Sequence, residues 1–128
     1  MPKQIIESTK VPAPIGPYSQ GVIANGFFFA SGQVAFDPAT GELVLSDIKT
    51  ETKQVMENIH SLLEAANLSF ANVVKTTIFL SDMSLFAEVN EVYGSYFTSN
   101  FPARETVAVK TLPRNVNVEI SITAVVVL

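Results

Sequence analysis

The sequence predicts an α+β domain in which a mixed β-sheet carries two helices on one face. Three observations predict it. From Val116 the chain alternates strictly, with Val116, Val118, Ile120 and Ile122 on one side and Asn117, Glu119, Ser121 and Thr123 on the other, the period of a half-buried strand. Asn25-Gly26 separates two apolar runs, a strong hairpin signal that makes those strands antiparallel. A β-rich run at 73–80, a helical stripe after Ser84 and an extended run from about Arg104 follow in succession. That order is a βαβ crossover, which is right-handed and makes its two strands parallel. Two helices cover only one side of such a sheet. The other side must meet water or another subunit, so the chain is a candidate oligomer.

At 128 residues, 48% of them hydrophobic and 16% charged, the chain has the size and composition of one ordered domain, 1–128. Its formal charge of −4 and its lack of a Lys/Arg cluster count against nucleic-acid binding. Cysteine is absent and His60 is the sole histidine. Disulfides, thiolate catalysis and cysteine metal sites are thereby excluded, and no metal site is expected. The N-terminal MPKQIIESTK shows no signal-like apolar run, and the C-terminal ITAVVVL is too short to span a bilayer and reads as a buried last strand. The expected compartment is the cytosol, with no membrane contact.

Taken in order, Gln4–Ile6 reads as a short strand. Residues 11–21 pack prolines and glycines into a stiff arm that presents Tyr18 and Gln20. The hairpin 22–31 leads to Ser31-Gly32-Gln33, where glycine permits a close approach. Residues 37–41 form a turn. Asp47 caps the first helix, with Glu51 complementing its dipole and Asn67 ending it. Ile48, Val55, Met56, Ile59, Leu62, Leu63 and Ala66 share one helical face; His60 lies beside that stripe and reads as structural or exposed. Val73–Leu80 is a strand, and Ser84 caps a second helix carrying Phe86, Val89, Tyr93, Tyr96 and Phe97, a stripe read as core. Thr106–Thr111 is the next strand and Leu112–Asn115 a turn before the last one.

The chemistry concentrates in Phe101–Ile120. Pro102 pushes the chain into an extended entry, leaving Arg104 at the mouth of one strand and Glu119 on the polar face of the next. A guanidinium clamps a carboxylate with two parallel hydrogen bonds, and a glutamate can take a proton from water. Together they could hydrolyse a small organic acid. The competing reading is an exposed arginine and a solvated strand face.

Several segments together resemble one family: GPYSQG (16–21), FASGQV (29–34), DPATGELV (37–44), VVKTTIFLSDM (73–83), FAEVNEVYGSYF (86–97) and PARETVAV…LPRNVNVEI (102–120). They are similar to the Rid family of reactive intermediate deaminases, also called YjgF-like or L-PSP-like proteins, and most similar to its RidA branch. The resemblance implies a chorismate-mutase-like fold and a homotrimer with ligand sites between subunits. It also implies 2-iminobutanoate/2-iminopropanoate deaminase activity, the hydrolysis of imines formed from enamines such as 2-aminoacrylate to 2-keto acids and ammonia, without a cofactor. By position, Arg104 matches the carboxylate-binding arginine and Glu119 the residue that activates water, with Tyr18 as a third catalytic candidate. Tyr18, Ser31, Asn90 and Thr106 match positions lining the cleft, and Gln20 and Gln33 lie in the same motifs.

Thr106 stands where many members have cysteine, Glu105 where a small residue is frequent, Ala35 where proline is common and Ser121 where a second glutamate often follows. None of these touches Arg104, Glu119 or Tyr18. The implied mechanism orients an imine by its carboxylate in the Arg104 fork and activates water at Glu119, with Val118 and Val107 drying the cleft. Two other readings compete. One is a non-enzymatic trimer that senses keto acids through Arg104. The other is a translation inhibitor or ribonuclease, against which the charge and the lack of a histidine pair count.

Overall fold

The structure, a computed structural model, describes residues 2–127. Its sheet has six strands: β1 (Gln4–Ile6), β2 (Gly21–Ala24), β3 (Phe27–Gln33), β4 (Val73–Leu80), β5 (Ala103–Ala108) and β6 (Val118–Val125). They lie in the order β1-β2-β3-β6-β4-β5. Among the described residues only β4 and β5 pair in parallel. The helices are α1 (Ile48–Ala65) and α2 (Phe86–Gly94). The fold is the mixed α+β arrangement expected, with the crossover β4-α2-β5. Among the described residues no helix is long and apolar enough to cross a membrane.

Local chemistry sets the element boundaries. Asn25 and Gly26 both take positive φ, 56° and 83°, which is the turn whose twist matches a two-residue hairpin. The Asp47 carboxylate accepts from Thr50 N at 2.8 Å and starts α1; Asn67, at φ 60°, ends it. Strand β6 holds the centre, burying Val118, Ile120, Ile122 and Ala124 on one side. These meet Val55, Met56, Ile59, Leu62 and Leu63 of α1 in one core. A side chain such as Ile120 stabilises the fold by about 1.5–3 kcal/mol when fully buried.

Four expectations need correction. Asp82, and not Ser84, caps the second helical segment: its carboxylate accepts from Ser84 N at 2.8 Å and opens a 3-10 turn, Met83–Leu85, that runs into α2. An ionised acceptor satisfies a free helix N–H better than a hydroxyl. Helix α2 is shorter than the stripe suggested, and Tyr96 and Phe97 lie in tight turns beyond it. The strand expected at Thr106–Thr111 runs instead from Ala103 to Ala108. It pairs with Lys75–Leu80 and stops where β4 stops, because a ladder needs a partner. Finally, Val118 has no exposed surface and lies in the core, so it cannot dry a cleft beside Glu119. The last strand ends at Val125 and Val127 is exposed; Leu128, expected to continue it, lies outside the described residues.

Candidate functional site

Arg104 enters the site from β5, opposite Thr76 of β4, which is in turn opposite Ile122 of β6. That row faces the helices. The guanidinium therefore meets α2, lying over the rings of Phe86 and Tyr93 with centroids at 5.5 and 5.3 Å. It donates a short hydrogen bond from Nη1 to Asn90 Oδ1. Phe86, Asn90 and Tyr93 are spaced i, i+4, i+7, so one helical face builds the whole cradle. Tyr93 is held by a 2.8 Å hydrogen bond between its hydroxyl and that of Thr76. Burial pushes the Tyr93 hydroxyl pKa up, against the opposing pull of Thr76 and Arg104. Asn90, Tyr93, Gly94, Phe101, Pro102 and Arg104 line a cleft of about 410 Å³. Tyr93 and Phe101 give the cleft two aromatic walls, and the Arg104 N–H groups not used by Asn90 are left for an anion.

Thr106, two residues on and on the same side of β5, has a buried hydroxyl without a hydrogen-bond partner among the described residues. It is not one of the residues lining the Arg104 cleft.

Glu119 lies on the other side of the sheet. Its row is Glu119, Phe79 of β4 and Val107 of β5. The side chain rests on Gly32, where a Cβ would stand 2.7 Å from Oε2 and 2.8 Å from the carboxyl carbon. The close approach foreseen at Gly32 is thus made by a carboxylate of the same chain. Gly32 sits in an irregularity of the β3–β6 ladder, which shifts register between Ala30 and Gln33. None of the described residues hydrogen-bonds the Glu119 carboxylate, and burial alone raises its pKa above the ordinary 4.5.

The arm of residues 11–20 is tied to this second locus. Ser31 Oγ donates to Ser19 O at 2.6 Å, and Ser31 N donates to Gln20 O at 2.9 Å. Tyr18, the preceding residue, is exposed. Gln20 is buried and spends its amide on Ser8 and Pro12, so it shapes the arm and does not line a cleft. Gln33 donates to Ser31 O at 3.2 Å.

The candidate residues thus fall into two groups, one on each face of the sheet. Arg104 and Asn90 form one, with Thr106 on the same side of β5 but outside the cleft; Glu119 and Ser31 lie in the other, with Tyr18 nearby in the chain. β5 and β6 are not neighbours, because β4 runs between them. Two strand spacings and three residues put the Arg104 and Glu119 backbones roughly 14 Å apart, with side chains on opposite faces. Phe86 and Tyr93 belong to the core or pack against it, as read from the sequence; their second role beside the arginine was missed, and their shared helical face with Asn90 was the available signal. Among the described residues no three His, Asp or Glu cluster closely enough to hold a metal ion.

The sequence profile of the family described as Endoribonuclease L-PSP matches residues 8–126. The chain belongs to the L-PSP family. An L-PSP relative, a RutC family protein of Pyrococcus horikoshii, is 50% identical over 118 residues, covering 92% of this chain and 94% of its own. The human 2-iminobutanoate/2-iminopropanoate deaminase is 43% identical over 123 residues, covering 96% and 90%. The structure of E. coli TdcF with bound serine superposes with a TM-score of 0.90 at 38% identity, covering 95% of this chain and 98% of that one. L-PSP membership and the Rid resemblance thus coincide, and deaminase-named relatives place imine chemistry within the family.

Proposed function

We propose that the protein hydrolyses 2-imino acids to 2-keto acids and ammonia at a site composed of both groups of residues, supplied by neighbouring copies of the chain in a homotrimer. The observation that carries this reading is the Arg104 guanidinium, lying over two aromatic rings at the wall of a cleft. Such a group is set to receive a small carboxylate. A serine-bound structure within the family and the deaminase-named relatives support a ligand of amino-acid size.

The imine carbon is already electrophilic. With its carboxylate on Arg104, that carbon is presented to a water held by Glu119. Glu119 takes a proton as the water oxygen bonds to carbon, and the C=N electron pair moves to nitrogen, which receives that proton to give a carbinolamine. Glu119 then takes the carbinol O–H proton and passes it to nitrogen as the C–N bond breaks, so that ammonia leaves and the carbonyl forms. A carboxylate with its pKa raised by burial suits both halves of this exchange, because it takes and returns a proton more readily near neutrality. Tyr18, Ser31, Asn90 and Thr106 complete the proposed contacts, with Asn90 acting through the arginine.

The test is loss of an imine generated in situ by an amino-acid oxidase. Turnover should fall ~10²–10⁴-fold in Glu119→Gln while keto-acid binding survives. Arg104→Lys should be nearly as damaging as Arg104→Ala, since charge-assisted bonds of ~1.5–3 kcal/mol depend here on a planar fork. Binding without turnover in the unmodified protein would favour a keto-acid sensor.

A further inference from the structure

Glu51 is a carboxylate with no exposed surface, in the first turn of α1. Its hydrogen bonds lead to one place. Oε2 accepts from the backbone N–H of Asn117 at 2.8 Å and of Val118 at 3.3 Å, and Oε1 accepts from Asn117 Nδ2 at 2.8 Å. Asn117 is held from the other side as well: its side-chain oxygen accepts from Ser81 Oγ at 3.2 Å, and its carbonyl accepts from Ser81 N at 3.0 Å.

The register explains why a helix residue reaches this point. The last β3–β6 pair at this end is Gln33↔Ile120, so residues 117–119 have no partner on β3. Backbone N–H groups left there without acceptors would be costly to bury. The Glu51 carboxylate takes the place of the missing strand. Its anchor points lie one and two residues before Glu119, whose own strand pairing is to Phe79 of β4 alone.

We propose that Glu51 is a positioning residue for Glu119, clamping the start of β6 so that the Glu119 carboxylate stays seated on Gly32. The functional consequence rests on the imine-hydrolase reading above. Glu51 touches neither the Arg104 cleft nor Glu119 itself, so its removal should leave carboxylate recognition intact and disturb only the water-activating group. The neighbours facing Glu119, namely Phe79 on β4, Val107 on β5 and Gly32 on β3, carry no charge. Burial is therefore what sets its titration, and a loosened strand start admits water and returns the group toward its ordinary pKa.

The experiment compares Glu51→Leu, Glu51→Gln and Asn117→Ala in steady-state imine hydrolysis. The Glu119 carboxyl is titrated in parallel by NMR on isotope-labelled protein. Glu51→Leu should lower kcat roughly tenfold to a hundredfold with KM nearly unchanged, the scale of a misplaced catalytic group. The Glu119 titration should move to lower pH in the same sample. Asn117→Ala should shift both in the same direction by less. Glu51→Gln, whose amide oxygen can still accept from the two backbone N–H groups but whose amide nitrogen would face the Asn117 Nδ2 donor, should shift both by less than Glu51→Leu. If Glu51→Leu does not fold, Asn117→Ala decides. Folded variants with unaltered kcat and an unaltered Glu119 titration would overturn the proposal. So would a loss of rate that only tracks the folded fraction while the titration stays put. Absence of imine turnover in the unmodified protein would instead sink the hydrolase reading, and the NMR titration would still decide what Glu51 does.

Discussion

Arg104 and Glu119 acquire their chemistry from opposite environments. The arginine is gripped by three side chains of one helix, whereas the glutamate has no hydrogen-bond partner among the described residues and rests against a glycine. A carboxyl whose folded-state pKa is raised by burial favours the fold while protonated, and that contribution is lost as the pH rises through the folded pKa. Glu119→Gln should therefore melt higher than the unmodified protein at neutral pH, and the gap should close as the pH falls below 4.5. Thermal melts across pH would check this; a Glu119→Gln protein that melts lower at pH 7 would contradict it. Gly32→Ala should displace the same carboxylate, because the new Cβ would stand 2.7 Å from Oε2. Turnover should drop with little change in carboxylate binding. Thr106 offers a third test. A buried hydroxyl without a partner destabilises by about 1–3 kcal/mol, so Thr106→Val should raise the melting temperature. If the hydroxyl also contacts the substrate, as proposed, KM should rise in the same variant.

At the scale of elements, α2 is the part that makes an arginine into a site. Its face carries Phe86, Asn90 and Tyr93, and its entry depends on the Asp82 cap. Hydrogen bonds from the Ser84 backbone and side chain hold the Asp82 carboxyl below its ordinary pKa of 3.8. Its contribution to the fold is thus present above pH 3.8 and is lost as the pH falls through the lower folded value. Asp82→Ala should destabilise the protein more than Ser84→Ala at neutral pH, and the difference should narrow in strong acid. Equal melting temperatures for the two variants would return the cap to Ser84. β6 was legible because its alternation spans the entire strand. The end of β5 was not, because the residues after Ala108 are as strand-like as those before it and only the length of β4 stops the ladder.

For the whole molecule, the side of the sheet away from the helices remains open. Ile5, Phe27, Phe29 and Val107 are exposed there at 45%, 41%, 47% and 45%. Apolar surface of this kind motivates association between copies of the chain, and the proposed homotrimer is tested at this scale. Light scattering should report about three times the chain mass of 13.8 kDa. Mixing separately inactive subunits gives a sharper test. If each site takes Arg104 from one copy and Glu119 from another, trimers re-formed from equal amounts of Arg104→Ala and Glu119→Gln chains should recover about a quarter of full activity, because random assembly pairs two intact halves in one site of four. Recovery no greater than the sum of the two variants would place both groups of a working site in one copy.

By itself the sequence determined the period and order of the elements, the hairpin at Asn25-Gly26, the cap at Asp47 and the residue types able to hold a carboxylate and to take a proton. These are local properties, set by alternation, turn chemistry and side-chain functional groups over a few neighbouring positions. Only the tertiary structure decided which of those residues meet. Arg104 and Glu119 are 15 positions apart and read as partners on consecutive strands, yet β4 inserts between β5 and β6 and the pleat sends the two side chains to opposite faces. Glu51 reads as one more acid in a helix's first turn, and becomes the anchor of β6 only because β3 has no partner to offer residues 117–119. Strand order and register depend on how the entire core closes, and no short stretch of sequence carries that information.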